Sequence, residues 1–149
     1  MRRTETILVA EDDIDDAFFL QRAFQKAGVS TSLQFVKDGQ EAIDYLDGEG
    51  DFTDRAAYPA PDLLLLDLKM PRINGFQVLE WVRQQPAFKR LPVIIFSSSD
   101  EGKDINHAYD LGANSYLLKP HSSEDLITVA QKLKMYWVEA NQTPGAFAE

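Results

Sequence analysis

A chain of 149 residues has room for one ordinary domain around a single core. Apolar and charged fractions of 44% and 26% argue against disorder, and no apolar run approaches the roughly 20 residues that span a bilayer. A net charge of −9, with no basic cluster longer than Arg2-Arg3 or Lys89-Arg90, argues against nonspecific nucleic-acid binding, and the lack of cysteine excludes disulfides, thiolate-bound zinc and thiol catalysis.

The first strand is expected at residues 7–10, Ile-Leu-Val-Ala, too close to the start and too short for a signal-peptide core. A cytoplasmic protein, with neither membrane nor nucleic acid as a partner, is the simplest expectation. Ile14, Ala17, Phe18, Phe24 and Ala27 then recur at helical spacing as an inward stripe, and Gly28 supplies a stop. Residues 33–36 form a weaker strand. Asp38-Gly-Gln-Glu41 has the form of a capping box, opening a helix with Ala42, Ile43 and Leu46 inward. Residues 48–61 are rich in Gly, Asp, Ala and Pro, and are expected to be a long loop tolerated as a surface insertion.

Leu63–Leu66 is a continuous apolar run, as a strand buried on both faces requires. Gly75–Gln84 places Val78, Leu79 and Val82 on one side of a helix that ends before Pro86. Residues 92–96 repeat the strand pattern. Ile105, Ala108 and Leu111 mark a helix closed by Gly112, and residues 116–118 form a fifth strand. The last helix begins at Ser122 or Ser123 and runs to about Ala140, with Leu126, Ala130, Leu133 and Trp137 on one stripe. The pattern is (βα)5, and right-handed crossovers make it a doubly wound, flavodoxin-like parallel sheet of five strands.

Ligand sites in such sheets lie at the carboxyl ends of the strands. The residues leaving the strands are Glu11-Asp12-Asp13, Asp67, Ser97-Ser98-Ser99 and Lys119-Pro120. One of the three leading carboxylates is expected to cap the following helix. Asp67 follows four leucines, so its carboxylate is partly desolvated and needs a cationic partner. Clustered carboxylates without Cys or His favour a hard cation such as Mg²⁺. A carboxylate nucleophile can form an aspartyl phosphate, whose oxygens the cation, Lys119 and the Ser97 hydroxyl would share.

Four motifs, Ile-Leu-Val-Ala-Glu-Asp-Asp, Leu-Leu-Leu-Leu-Asp-Leu-Lys-Met-Pro with Asn74-Gly75, Pro-Val-Ile-Ile-Phe-Ser-Ser and Gly-Ala-Asn-Ser-Tyr-Leu-Leu-Lys-Pro, follow in order. In these the chain resembles the response-regulator receiver domains of two-component signalling. The resemblance covers a core of about residues 5–135, with a helix extension and tail over about 136–149, in a single domain 1–149. It implies that Asp67 is the phosphoacceptor and that Glu11 and Asp12 hold Mg²⁺ (or Mn²⁺) with the Lys69 carbonyl, Asp13 standing aside. It further implies that Ser97 and Lys119 bind the phosphoryl group, that Tyr116 is the aromatic switch, and that Pro120 follows a bond that is commonly cis.

The chain departs from the family pattern at Glu11 for Asp, Ser97 for Thr and His121 for Phe. The first two are common variants, and His121 is expected at a packing position, with His107 on a helix surface. The long loop and the aromatic tail resemble the small regulators paired with phytochrome histidine kinases. That resemblance implies a histidine kinase partner and a homodimer through Tyr136 and Trp137. The protein would then be a phosphoacceptor rather than an enzyme acting on others. The alternatives are a phosphorylation-independent pseudo-receiver and an aspartate-nucleophile phosphohydrolase, against which Lys69 stands where such hydrolases carry a second Asp.

Overall fold

The apolar runs become the strands β1 (Thr6–Ala10), β2 (Ser32–Val36), β3 (Leu63–Leu66), β4 (Val93–Ser97) and β5 (Ser115–Leu118) of one sheet in a computed structural model, which describes residues 4 and 6–144. All neighbours are parallel, in the order β2-β1-β3-β4-β5. The helices are α1 (Ile14–Lys26), α2 (Gly39–Asp47), α3 (Gly75–Gln84), α4 (Gly102–Asp110) and α5 (Ser123–Leu133). Alternation along each strand divides the core between two faces. Leu64 and Leu66 join Leu8, Ala10, Val93 and Ile95 under α2, α3 and α4, whereas Leu63 and Leu65 join Ile7, Val9, Ile94 and Phe96 under α1 and α5. Four leucines in a row are what a central strand covered on both sides needs.

Three expectations are corrected. The buried stripe of α1 is Leu20, Ala23 and Phe24; Ile14 is 84% exposed, and Phe18 also faces solvent. Phe18 lies about 200° around the helix from Leu20, and Ile14 opens the helix at the sheet's carboxyl edge. In α2 it is Tyr45, not Ile43, that is fully buried with Ala42 and Leu46. The carboxylate of Asp38 accepts the Glu41 N–H (2.8 Å), but Glu41 reaches back to the N–H of Lys37 (3.0 Å), one residue before the cap.

The insertion 48–61 is tied down from within. The guanidinium of Arg55 donates to the carbonyls of Tyr45 (2.7 Å), Leu46 (3.0 Å) and Tyr58 (3.1 Å), supplying partners for the C-terminal carbonyls of α2. Tyr45 donates its hydroxyl to the Pro59 carbonyl (2.8 Å), and its ring packs with Phe52 and Tyr58. Burial pushes the Tyr45 phenol up to about 12.

The last helix does reach Ala140, but residues Lys134–Ala140 are π-helical, closed by an Asn141 N–H to Tyr136 carbonyl bond. The hydroxyl of Thr4 donates to the Trp137 carbonyl (2.9 Å), pinning this extension to the start of β1. Residues 1–3, including Arg2-Arg3, residue 5 and the tail 145–149 lie outside the described residues.

Candidate phosphoacceptor site

Strand register brings the acidic residues together. Ala10 pairs with Leu66, so the next residues, Glu11 and Asp67, leave adjacent strands side by side. The Asp67 N–H donates to the Ala10 carbonyl (3.1 Å), holding the two chains in step beyond the last pair. Gly75, the first residue of α3, backs against this point; a side chain there would collide with the Asp67 carbonyl. Both carboxylates are buried, with Glu11 7% and Asp67 8% exposed, while Asp12 faces solvent. Oxygens from Glu11, Asp12 and Asp67 lie within 4.8 Å of one another.

Lys119 arrives from the end of β5, its N–H fixed to the Ser97 carbonyl (2.9 Å). Its ammonium donates to Glu11 Oε1 (2.5 Å) and Asp67 Oδ2 (2.9 Å). Burial pushes the Glu11 carboxyl up to about 9, reinforced by the neighbouring Asp67 carboxylate and opposed by Lys119. Burial works to lower the Lys119 ammonium, but its hydrogen bond to Glu11 and the charge of Asp67 prevail and hold it above the usual lysine range. One lysine therefore leaves two buried carboxylates incompletely neutralised. Glu11 Oε2 is buried and has no hydrogen-bond partner among the described residues. An orphaned carboxylate oxygen in an all-oxygen cluster fits a hard divalent cation, and these residues suit one.

The other predicted residues fall in two groups. Ser97 is fully buried at the end of β4, its hydroxyl accepting the Ser99 N–H (3.2 Å). The Lys69 N–H donates to Asp67 Oδ1 (3.3 Å), the oxygen that Lys119 does not take. Tyr116 donates its hydroxyl to the Ser99 carbonyl (2.8 Å), tying β5 to the loop after β4. Asp13 caps α1, accepting the N–H groups of Asp15 and Asp16. The second group lies away from the carboxylates. His107 is exposed and stacks on Phe76. Trp137 packs against the core face under α5, while Tyr136 stays 57% exposed beside the exposed Met135.

Two expectations give way here. His121 is exposed rather than packed; it lines the rim of a cavity of about 400 Å³ between α1 and α5 that also reaches Phe19, Leu20, Phe96 and Leu126. Its polar ring stays in solvent just before the Ser122 cap of α5. The Lys119–Pro120 bond is trans, as are all described peptide bonds. One residue escaped the sequence reading: Asp16, whose carboxylate accepts from Lys119 at 3.3 Å. Its place in the first turn of α1, three residues after the Asp13 cap at the carboxyl edge of the sheet, was the available signal.

Residues 7–131 match the family described as response regulator receiver domain. The chain is 31% identical over 142 residues to the response regulator Rcp1 of Synechocystis sp., covering 95% of each; the Mn²⁺-bound structure of Rcp1 superposes with a TM-score of 0.84. The phosphorylated cyanobacterial phytochrome response regulator RcpA is 33% identical with a TM-score of 0.87, over 95% of this chain and 99% of that one. RPA3017, a response regulator in red light signalling of R. palustris, is 39% identical with a TM-score of 0.88, over 93% and 97%.

Proposed function

The chain belongs to the response regulator receiver domain family, and on that premise we propose that Asp67 is its phosphoacceptor, fed by phosphohistidine on a histidine kinase. The observation that carries this is the pairing of Glu11 and Asp67 on adjacent strand ends with a single lysine and one orphaned oxygen between them. In the transfer, an Asp67 carboxylate oxygen bonds to phosphorus as the P–N bond breaks, and the imidazole, already protonated on its other nitrogen, leaves neutral with the bonding electron pair. Lys119 donates to a phosphoryl oxygen, and Ser97 turns its hydroxyl to another. Lys69 holds the acceptor carboxylate through its N–H.

Glu11, Asp12 and Asp67, with the Lys69 carbonyl, would hold Mg²⁺ or Mn²⁺, which supplies positive charge for the phosphoryl oxygens when bound. Movement of Ser97 pulls on Ser99, and through its carbonyl on Tyr116, so the loop after β4 and the edge strand respond together. The protein is in this reading a signalling acceptor that assists its own phosphotransfer and hydrolysis. The likeness to RcpA and RPA3017 supports a phytochrome kinase as the donor, and the cytoplasm would be the compartment. A homodimer would use the exposed Met135 and Tyr136 beside the exposed part of Trp137, which is half-buried against the core.

The test is acid-labile phosphate incorporation from a purified phytochrome histidine kinase. The wild-type chain takes up one phosphoryl group and Asp67→Asn none; undiminished labelling of that variant removes the assignment.

A further inference from the structure

We infer that Asp16 is a positioning residue for phosphoryl transfer, tethering Lys119 at the reacting carboxylate when its other partners are drawn away. The inference rests on the reading of Asp67 as phosphoacceptor. An ammonium has three N–H donors, and here they meet Glu11 Oε1 at 2.5 Å, Asp67 Oδ2 at 2.9 Å and Asp16 Oδ2 at 3.3 Å. The three acceptors are not equivalent. Glu11 and Asp67 belong to the carboxylate cluster that suits a cation, and Asp16 stands outside it. Cation binding draws on Glu11, and phosphorylation turns Asp67 into an acyl phosphate. Only Asp16 keeps a free carboxylate through both events.

Local structure holds Asp16 in place for this. Its own N–H is bound by the Asp13 cap (3.0 Å), which fixes the first turn of α1. Lys119 is anchored on its side by the Ser97 carbonyl. The Asp16 side chain is 50% exposed and lines, with Lys119 and Asp67, the cavity that opens beside the site. An ion pair so exposed adds little to stability. Its effect falls on where the ammonium sits during transfer, because a misplaced donor loses transition-state contact. A bare charge effect would have the opposite sign: Asp16 would repel an anionic phosphodonor, and its removal would speed the reaction.

Acetyl phosphate separates the two. An Asp67 oxygen bonds to phosphorus, the P–O bond to the acetyl group breaks, and acetate departs with the electron pair, with no net proton transfer. The full chain at saturating Mg²⁺ and acetyl phosphate is followed by intact mass. Asp16→Ala is phosphorylated roughly fivefold more slowly, and Asp16→Asn, which keeps an acceptor oxygen, recovers part of the rate. In a Lys119→Ala background, followed to longer times, Asp16→Ala changes nothing further. A variant as fast as wild type or faster overturns the inference, as does an undiminished effect without Lys119. If wild type gains no phosphate on Asp67, the receiver reading falls, and this inference with it; if it labels normally while Asp16→Ala matches it, this inference alone fails.

Discussion

Two buried carboxylates near the strand ends have opposite surroundings. Asp38, between β2 and α2, accepts a bidentate pair from Arg72 (2.8 to 3.1 Å) and the Glu41 N–H, so both its oxygens are occupied. Glu11, at the end of β1, shares one lysine with Asp67 and leaves Oε2 without a partner among the described residues. Asp38 holds structure: it clamps the loop after β3, where Arg72 sits at φ 66°, a strained conformation for a residue with a side chain. Glu11 holds a position open. A buried acid with every partner filled by the chain is framework, and one left short by the chain is reserved for something that arrives later.

That contrast can be broken most forcefully with pH. The Glu11 carboxyl is raised from 4.5 to about 9 in the folded state, so without a cation the native state holds a proton that the unfolded chain releases. Its contribution is complete below pH 4.5 and is lost as pH rises toward 9, the unfolding free energy falling by at most one proton's linkage per pH unit. Lys119, raised above 10.5, contributes nothing variable in this window. Urea unfolding in chelator is expected to weaken steadily from pH 5 to 9, and Mg²⁺ to flatten that slope; a flat profile in chelator would mean that Glu11 is already fully compensated.

A smaller effect is expected at the framework acid. Arg72→Ala leaves Asp38 buried with its N–H contact alone, at a cost of about 2 kcal/mol, discounted because the guanidinium is largely exposed. The loss should be the same with and without Mg²⁺. A cation-dependent loss would merge the two sites and dissolve the distinction. Smallest is Tyr45→Phe, which leaves the Pro59 carbonyl without its hydroxyl donor. About 1 kcal/mol is expected by thermal unfolding, again independent of cation.

Much of this was legible because it depends on local rules. Short apolar runs became buried parallel strands, and polar residues leaving them met at one edge, since strand register translates sequence position into spatial position. One of the three leading carboxylates was expected to cap α1, and Asp13 does, because a carboxylate just before a helix can accept its free N–H groups. What escaped depends on tertiary direction. The α1 stripe was misjudged at Ile14 and Phe18 because aromatic and branched residues on the outer face carry the same hydropathy as those inside. Loop 48–61 gave no hint that one arginine would gather several carbonyls, as backbone oxygens have no sequence signature. Tyr136 and Trp137 are neighbours in sequence, yet the helix turns only the second toward the core. Asp16 was passed over because an acidic first turn is ordinary helix chemistry.

The four leucines of β3 carry a last consequence. Asp62-Leu-Leu-Leu-Leu-Asp67 is the sort of uncharged, strongly apolar segment that self-associates when a chain is unfolded, and it is bounded on each side by a carboxylate. Asp67 thus has a use beside the acceptor role proposed for it: before any site exists, its charge discourages the emerging strand from pairing with copies of itself. Replacing it by a neutral residue leaves Asp62 as the one flanking charge on that segment while the chain is unfolded.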